Sequence, residues 1–172
     1  LIFYLNSLFY IPLIKFYFFH LPAVLFLGFT NIIFIKYLIN AFKNKKINFT
    51  HYFTLFIILF INIFFYRIAE HGTDRSAQIL IFLLLLEVLI FIYLESFDNM
   101  QLSKILLLLG LIISLKAFYV LYIVILVPVF FKLKEYYSFK SIFITLIKNY
   151  SFYLLTSLFL LVLLTNFFNS GC

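Results

Sequence analysis

Residues 79–97 read ILIFLLLLEVLIFIYLESF, and this stretch decides the fold. A helix that crosses a bilayer needs about 20 mostly apolar residues, and here Glu87 alone breaks the run before Glu95 and Ser96. In lipid the backbone must satisfy its own hydrogen bonds, which leaves helices or closed barrels. Barrel strands alternate apolar and polar side chains. The runs Ile79–Leu86 and Ile105–Leu109 are continuous instead, so helices are the reading.

The rest of the chain agrees. Its 172 residues are 66% hydrophobic and 11% charged, against about 45–50% and about 25% in soluble domains. Six acids and thirteen bases cannot coat such a chain with a water-facing surface, and the mean hydropathy is +1.18. The sequence therefore predicts an all-α, polytopic transmembrane helical bundle of about six spans, with the lipid bilayer as its partner. No Ser/Gly-rich linker divides it, so residues 1–172 are expected to form one domain. The chain opens on Leu1 inside an apolar run and stops at Cys172. Both ends are therefore expected to be truncated, the chain being an internal piece of a larger membrane domain. Cys172 is the single cysteine, which excludes an internal disulfide, and Cys-His metal patterns are missing. The net charge of +7 does not point to nucleic acid, because the bases lie between spans and not along one soluble face.

The expected spans are the end of one at Leu1–Ile14, then Leu21–Ile39, Tyr52–Tyr66, Ile79–Phe97, a pair within Ile105–Phe131, and Ser151–Phe168. Pro22 suits a first helical turn. Between the spans lie the basic loop at Lys43–Lys46, the polar loop Arg67–Gln78 and the short polar loop Asp98–Lys104. Lys132–Tyr150 reads as an interfacial amphipathic segment whose lysines snorkel. One helix over Ile105–Phe131 would be about 40 Å long, against a hydrocarbon core of about 30 Å. A short-helix hairpin turning at Lys116 fits better. It gathers Lys36, Lys43, Lys45, Lys46, Lys104, Lys132, Lys134, Lys140 and Lys148 on the inside, and leaves Lys15, Arg67, Arg75 and Lys116 outside. That is the asymmetry that orients membrane proteins.

The outer face then collects the residues that can carry chemistry. Arg67–Gln78 reads RIAEHGTDRSAQ. As a plain loop, it turns at Gly72 and caps the next helix with Thr73 or Asp74. As a site, Glu70 and Asp74 could act as general base, or hold a divalent metal ion together with a bound phosphate, beside Arg67, His71 and Arg75. The spacing of a tight protein-only metal site, such as HExxH, is not there. Lys116 lies within an apolar run, where a lysine costs about 2.5–3.5 kcal/mol at the bilayer centre. It either reaches water at an interfacial turn or meets an anionic lipid phosphate. Glu87, in mid-span, should face the bundle, with Lys116, Lys36 or a backbone group as partner. Asn31, Asn40 and Asn62 are expected to hydrogen-bond between helices, and His20 and His51 to sit at interfaces. The sequons at Asn48 and Asn149 fall on the inner side.

The stretch GLIISLKAFYVLYIVILVPVFF, Gly110–Phe131, resembles a hairpin of the GT-C class of membrane glycosyltransferases, which includes protein mannosyltransferase-like and aminoarabinose transferase-like enzymes. There a small-residue-rich helix ends at a lysine and an apolar helix with a proline follows, the places held here by Lys116 and Pro128. From Arg67 to Cys172 the chain is also similar to bacterial multi-pass proteins of surface-polysaccharide synthesis. The resemblance implies a transferase using a polyprenyl-phosphate-linked sugar at the outer face of the inner membrane, with Lys116 near the lipid phosphate. The family's threonine before the lysine is Leu115 here. Its catalytic acid belongs to a first outer loop near the N-terminus that is not visible in this chain, so Glu70 and Asp74 do not inherit that role by position. A transporter or flippase using Glu87 and Lys116 as intramembrane charges is the rival expectation, and a non-catalytic membrane subunit is the third.

Overall fold

The structure, a computed structural model, describes residues 21–44, 47–65, 74–115 and 117–170. Among them every regular element is helical. α1 runs Leu21–Asn44, α2 Phe49–Phe64, α3 Asp74–Tyr93 and α4 Asn99–Leu115. A 3₁₀-helix, Ala117–Ile125, leads into α5, Leu126–Tyr136, followed by α6, Phe139–Lys148, and α7, Tyr150–Ser170. The all-helical reading of the sequence holds.

Two described helices are long and apolar enough on their own to cross a membrane, Leu21–Lys43 within α1 and Arg75–Tyr93 within α3. α6 and α7 together would make a third, but they are bent by 75° at their junction. α2 and α4 are apolar and shorter, at 16 and 17 residues. The expected end of a span at Leu1–Ile14 lies outside the described residues.

Contacts divide the chain into two compact units, residues 1–86 and 87–172, with the division falling inside α3. In the first unit α1 and α2 form an antiparallel hairpin. Asn31 pairs with Asn62 and, further along α1, Tyr37 with Thr50, so the partner number falls as the helix advances. Thr54 is buried beside this seam and returns its hydroxyl to the Thr50 carbonyl, so no unpaired group is left there. At the far end of α2, Phe60, Phe65 and Phe82 pack ring against ring.

In the second unit α4 packs mainly on α7. Gly110 makes this possible: a Cβ built there would stand 3.2 Å from Leu155 Cα and 3.3 Å from Leu158 Cδ1. Small residues let membrane helices approach in this way. α4 is covered around most of its girth, from Gln101 and Leu102 through Ile105, Leu106, Leu109, Ile112 and Ile113 to Leu115. The 3₁₀-helix packs back on α4, and its eclipsed i, i+3 spacing brings the Tyr119 and Tyr122 rings to 5.7 Å. Pro128 falls in the first turn of α5, where a missing N–H costs least.

The structure corrects one boundary by several residues. Asp98–Lys104 is not a loop. Asp98 accepts the Met100 N–H at 2.8 Å and α4 starts at Asn99. The polar residues of that stretch are the first turn and a half of a helix, because a carboxylate capping free N–H groups starts a helix even in polar sequence.

Candidate functional site

The expected outer-face site is described in part. Arg67, Glu70, His71 and Lys116 lie outside the described residues, as does the Gly72–Thr73 turn. Asp74 is the first residue of α3 and Arg75 the second, so the helix starts where a cap at Thr73 or Asp74 leads one to look. The Arg75 guanidinium lies 4.4 Å above the Phe65 ring, a cation–π contact that docks the start of α3 on the end of α2. Ser76 is completely buried and its Oγ has no hydrogen-bond partner. The first turn of α3 thus combines helix N–H groups, an arginine and an unpaired hydroxyl. Helix starts of this kind favour anions.

Glu87 is half-buried, as a mid-span carboxylate should be, and Gln101, which the sequence did not suggest, hydrogen-bonds to it. The Gln101 amide donates to the Glu87 carboxylate and, at 3.1 Å, to the Glu87 carbonyl oxygen. Lys104 Nζ in turn reaches Gln101 Oε1 at 3.4 Å. A neutral amide therefore stands between a carboxylate and an ammonium group. Gln101 is 5% exposed, so this relay is built into the packing of α4.

A third polar group gathers at the bend between α6 and α7. Asn149 is 4% exposed, and its amide donates to Asn99 Oδ1 at 3.1 Å and Ser103 Oγ at 2.8 Å. Its own Oδ1 accepts the Ser151 N–H at 2.9 Å, capping α7. The sequon asparagine is thus a sealed structural residue that joins the start of α4 to the start of α7.

Asn31 and Asn62 exchange amide hydrogen bonds of 3.2 and 3.0 Å, the interhelical pairing their positions in apolar runs predict. Asn40 is exposed. His51 does more than sit at a span end: its Nδ1 accepts the Asn48 N–H at 2.9 Å, and its ring stacks on Tyr37 at 4.8 Å. On α5, Lys132 pairs with Glu135 at 2.7 Å, and that hydrogen bond holds the Lys132 pKa above the ordinary lysine value. Among the described residues no three His, Cys, Asp or Glu side chains come close enough to hold a metal ion.

Sequence reasoning missed Gln101, Ser103, Asn149 and Ser76. A signal was present for Asn149: it stands between a basic amphipathic stretch and a long apolar run, where an asparagine is a strong helix-start residue. For Gln101 the signal was weaker, since polar residues at the head of an apolar run read as loop. Comparison with protein-family models, curated proteins and solved structures finds no match to this chain.

Proposed function

We propose that the chain is a multi-pass inner-membrane protein of GT-C glycosyltransferase type, acting on a polyprenyl-phosphate-linked sugar in surface-polysaccharide synthesis. The observation that carries this reading is the pair of apolar helices that flank Lys116 along the chain. α4 ends at Leu115 and the 3₁₀-helix begins at Ala117, leaving Lys116 as the single residue between two apolar helices that pack on each other. A nine-residue 3₁₀ run is long for its kind. A 3₁₀ stretch within helical sequence often marks a functional hinge or a sequence under strain. A lysine between two such helices in the sequence has a reason to meet an anionic headgroup or lipid phosphate.

The six-span topology belongs to the same proposal. α1 and α3 have the length. α2 and α4 rise about 24–26 Å by their residue number, which a locally thinned bilayer accommodates. The first turn of α3, with Arg75 and the unpaired Ser76 hydroxyl, supports an anion at the outer end of that helix. Glu70 and Asp74 are the acids within this chain that could take the acceptor proton, and Arg67 and His71 would complete the anion's surroundings.

Thermal unfolding of the full protein in detergent, with and without polyprenyl phosphate, tests this directly. Ligand at about 100 times its Kd stabilises the folded state by about 2.7 kcal/mol. The expected result is a stabilisation in wild type that Lys116→Ala removes. No stabilisation of intact wild type sinks the lipid-phosphate reading. Sugar transfer that persists in Lys116→Ala, Glu70→Gln and Asp74→Asn sinks the residue roles. A second reading, a transporter or flippase, draws on the Glu87–Gln101–Lys104 relay, since charged groups within a bundle often line a path for ions or substrates. It requires substrate movement without covalent change.

A further inference from the structure

The geometry points to α6 as an in-plane docking helix for an anionic phospholipid leaflet, with Lys140 and Lys148 taking the lipid phosphates. This does not rest on the sugar-transfer reading.

The argument begins with the bend. α6 and α7 are joined through Asn149 alone and diverge by 75°. Membrane-spanning helices tilt by about 20° from the bilayer normal on average. If α7 crosses the bilayer at such a tilt, α6 lies close to the membrane plane. With ten residues, about 15 Å of helix, it cannot span by itself. The sealed hydrogen bonds of Asn149 to Asn99 and Ser103 hold the bend in place.

The exposed side of α6 is ordered. Phe139, Phe143 and Ile147 recur at i, i+4 and i+8 and form one stripe, with Phe139 70% and Phe143 62% exposed. Lys140, Ile144 and Lys148 form the adjoining stripe, all three exposed. Ile142 faces inward and is buried. An exposed aromatic stripe is unfavourable in water, and two ammonium groups are unfavourable among acyl chains. Beside each other they fit the boundary, where rings sit at the acyl edge and lysines reach the phosphates. Tyr150 and Tyr153, 88% and 55% exposed, continue the aromatic belt onto α7.

Charge selects the kind of lipid. Lys132 is already neutralised by Glu135. Lys140 and Lys148 make no ion pair among the described residues, and Lys134 contacts the Phe130 ring at 5.9 Å. Phe130 meets Phe139 edge-on at 5.8 Å, which sets Lys134 at the approach to α6. Three unneutralised ammonium groups along one rim favour an anionic over a zwitterionic leaflet, each by roughly fivefold near such a surface.

The test uses the full chain in mild detergent, titrated by native mass spectrometry with phosphatidylglycerol and phosphatidylcholine. Wild type should prefer phosphatidylglycerol. Lys140→Gln with Lys148→Gln should cut that preference roughly tenfold or more, while Lys36→Gln on α1 leaves it unchanged. Equal binding of the two lipids, or a preference that survives the double variant, overturns the proposal. Should the double variant not fold, raised salt must weaken phosphatidylglycerol binding to wild type, and an unchanged affinity overturns it equally. Depth is read with a fluorophore at Phe143→Cys in a Cys172→Ser background, reconstituted into vesicles with lipids brominated at shallow or deep positions. Strongest quenching at the shallow position is expected. Strongest quenching at the deep one makes α6 and α7 a single buried span or re-entrant pair. Cross-linking between copies at Phe143→Cys makes the occupant a second chain. Either outcome overturns the lipid assignment, and neither touches polyprenyl-phosphate binding at Lys116.

Discussion

Two glycines in apolar helices have opposite surroundings. Gly28, in α1, has nothing within 4 Å of the place a Cβ would occupy. Gly110, in α4, has the backbone of α7 there. The difference extends to their helices. α1 is the longer and passes every length test for a span, yet it exposes Phe29, Ile32 and Phe42 along its course. α4 is shorter than a span and has Gln101 and Ser103 near its head, yet it is the most thoroughly covered helix of its unit. Hydropathy reports which helix can live in lipid. It does not report which helix the other helices choose to surround.

The largest effect expected from this contrast comes from filling the two glycines. Gly110→Val should separate α4 from α7 and cost about 1–3 kcal/mol, the usual range for overpacking. Gly28→Ala should be neutral or stabilise by up to about 1 kcal/mol, since only helix propensity changes. Thermal midpoints of the purified protein compare them. Equal losses at both positions would mean that α4 and α7 are not closely packed.

The polar contacts sharpen the same comparison. Asn149→Ala removes a buried amide together with its hydrogen bonds to Asn99 and Ser103 and uncaps α7, so a loss of about 1–3 kcal/mol is expected. Asn62→Ala breaks an exchange of hydrogen bonds that is open to the surroundings. About 0.6 kcal/mol is the average for interhelical bonds in a membrane protein, and a loss of that order is expected here. Unfolding in graded denaturant measures both. A larger loss at Asn62 than at Asn149 would reverse the ranking of the two units' polar seams.

The smallest effect concerns Lys132. Its folded-state pKa is raised by the Glu135 carboxylate. The stabilisation that follows is therefore complete at neutral pH, and is lost only as pH rises past the ordinary lysine value of 10.5. Glu135→Gln should leave the thermal midpoint unchanged between about pH 6 and 8, because an exposed pair contributes little. A clear shift in that range would show that the pair does more than sit at the surface.

Much of this was legible in the sequence for a simple reason. Continuous apolar runs satisfy their backbones in lipid only as helices, so the all-helical class, the long helices of α1 and α3, the interhelical bonding of Asn31 and of Asn62 (though not that they meet each other) and the amphipathic character of residues 139–148 follow from composition and spacing. The candidate site was less legible. Asp74 and Arg75 stand at a helix start as the capping pattern suggests, but Gln101 was not among the partners expected for Glu87, which were two lysines or a backbone group. Gln101 supplies an amide, and a neutral donor can approach a half-buried carboxylate without bringing a second charge out of water.

The amino-acid order alone determined that the chain is helical and suited to lipid, and where its cations lie along it. Tertiary structure alone decided which helix is surrounded, that Gly110 admits Leu155, that Gln101 holds Glu87, and that Asn149 fixes a 75° bend. The physical reason is range. Hydropathy and capping act within a few residues, whereas these contacts join side chains 14 to 50 positions apart, and similar apolar surfaces give a sequence no means of stating which of them will meet.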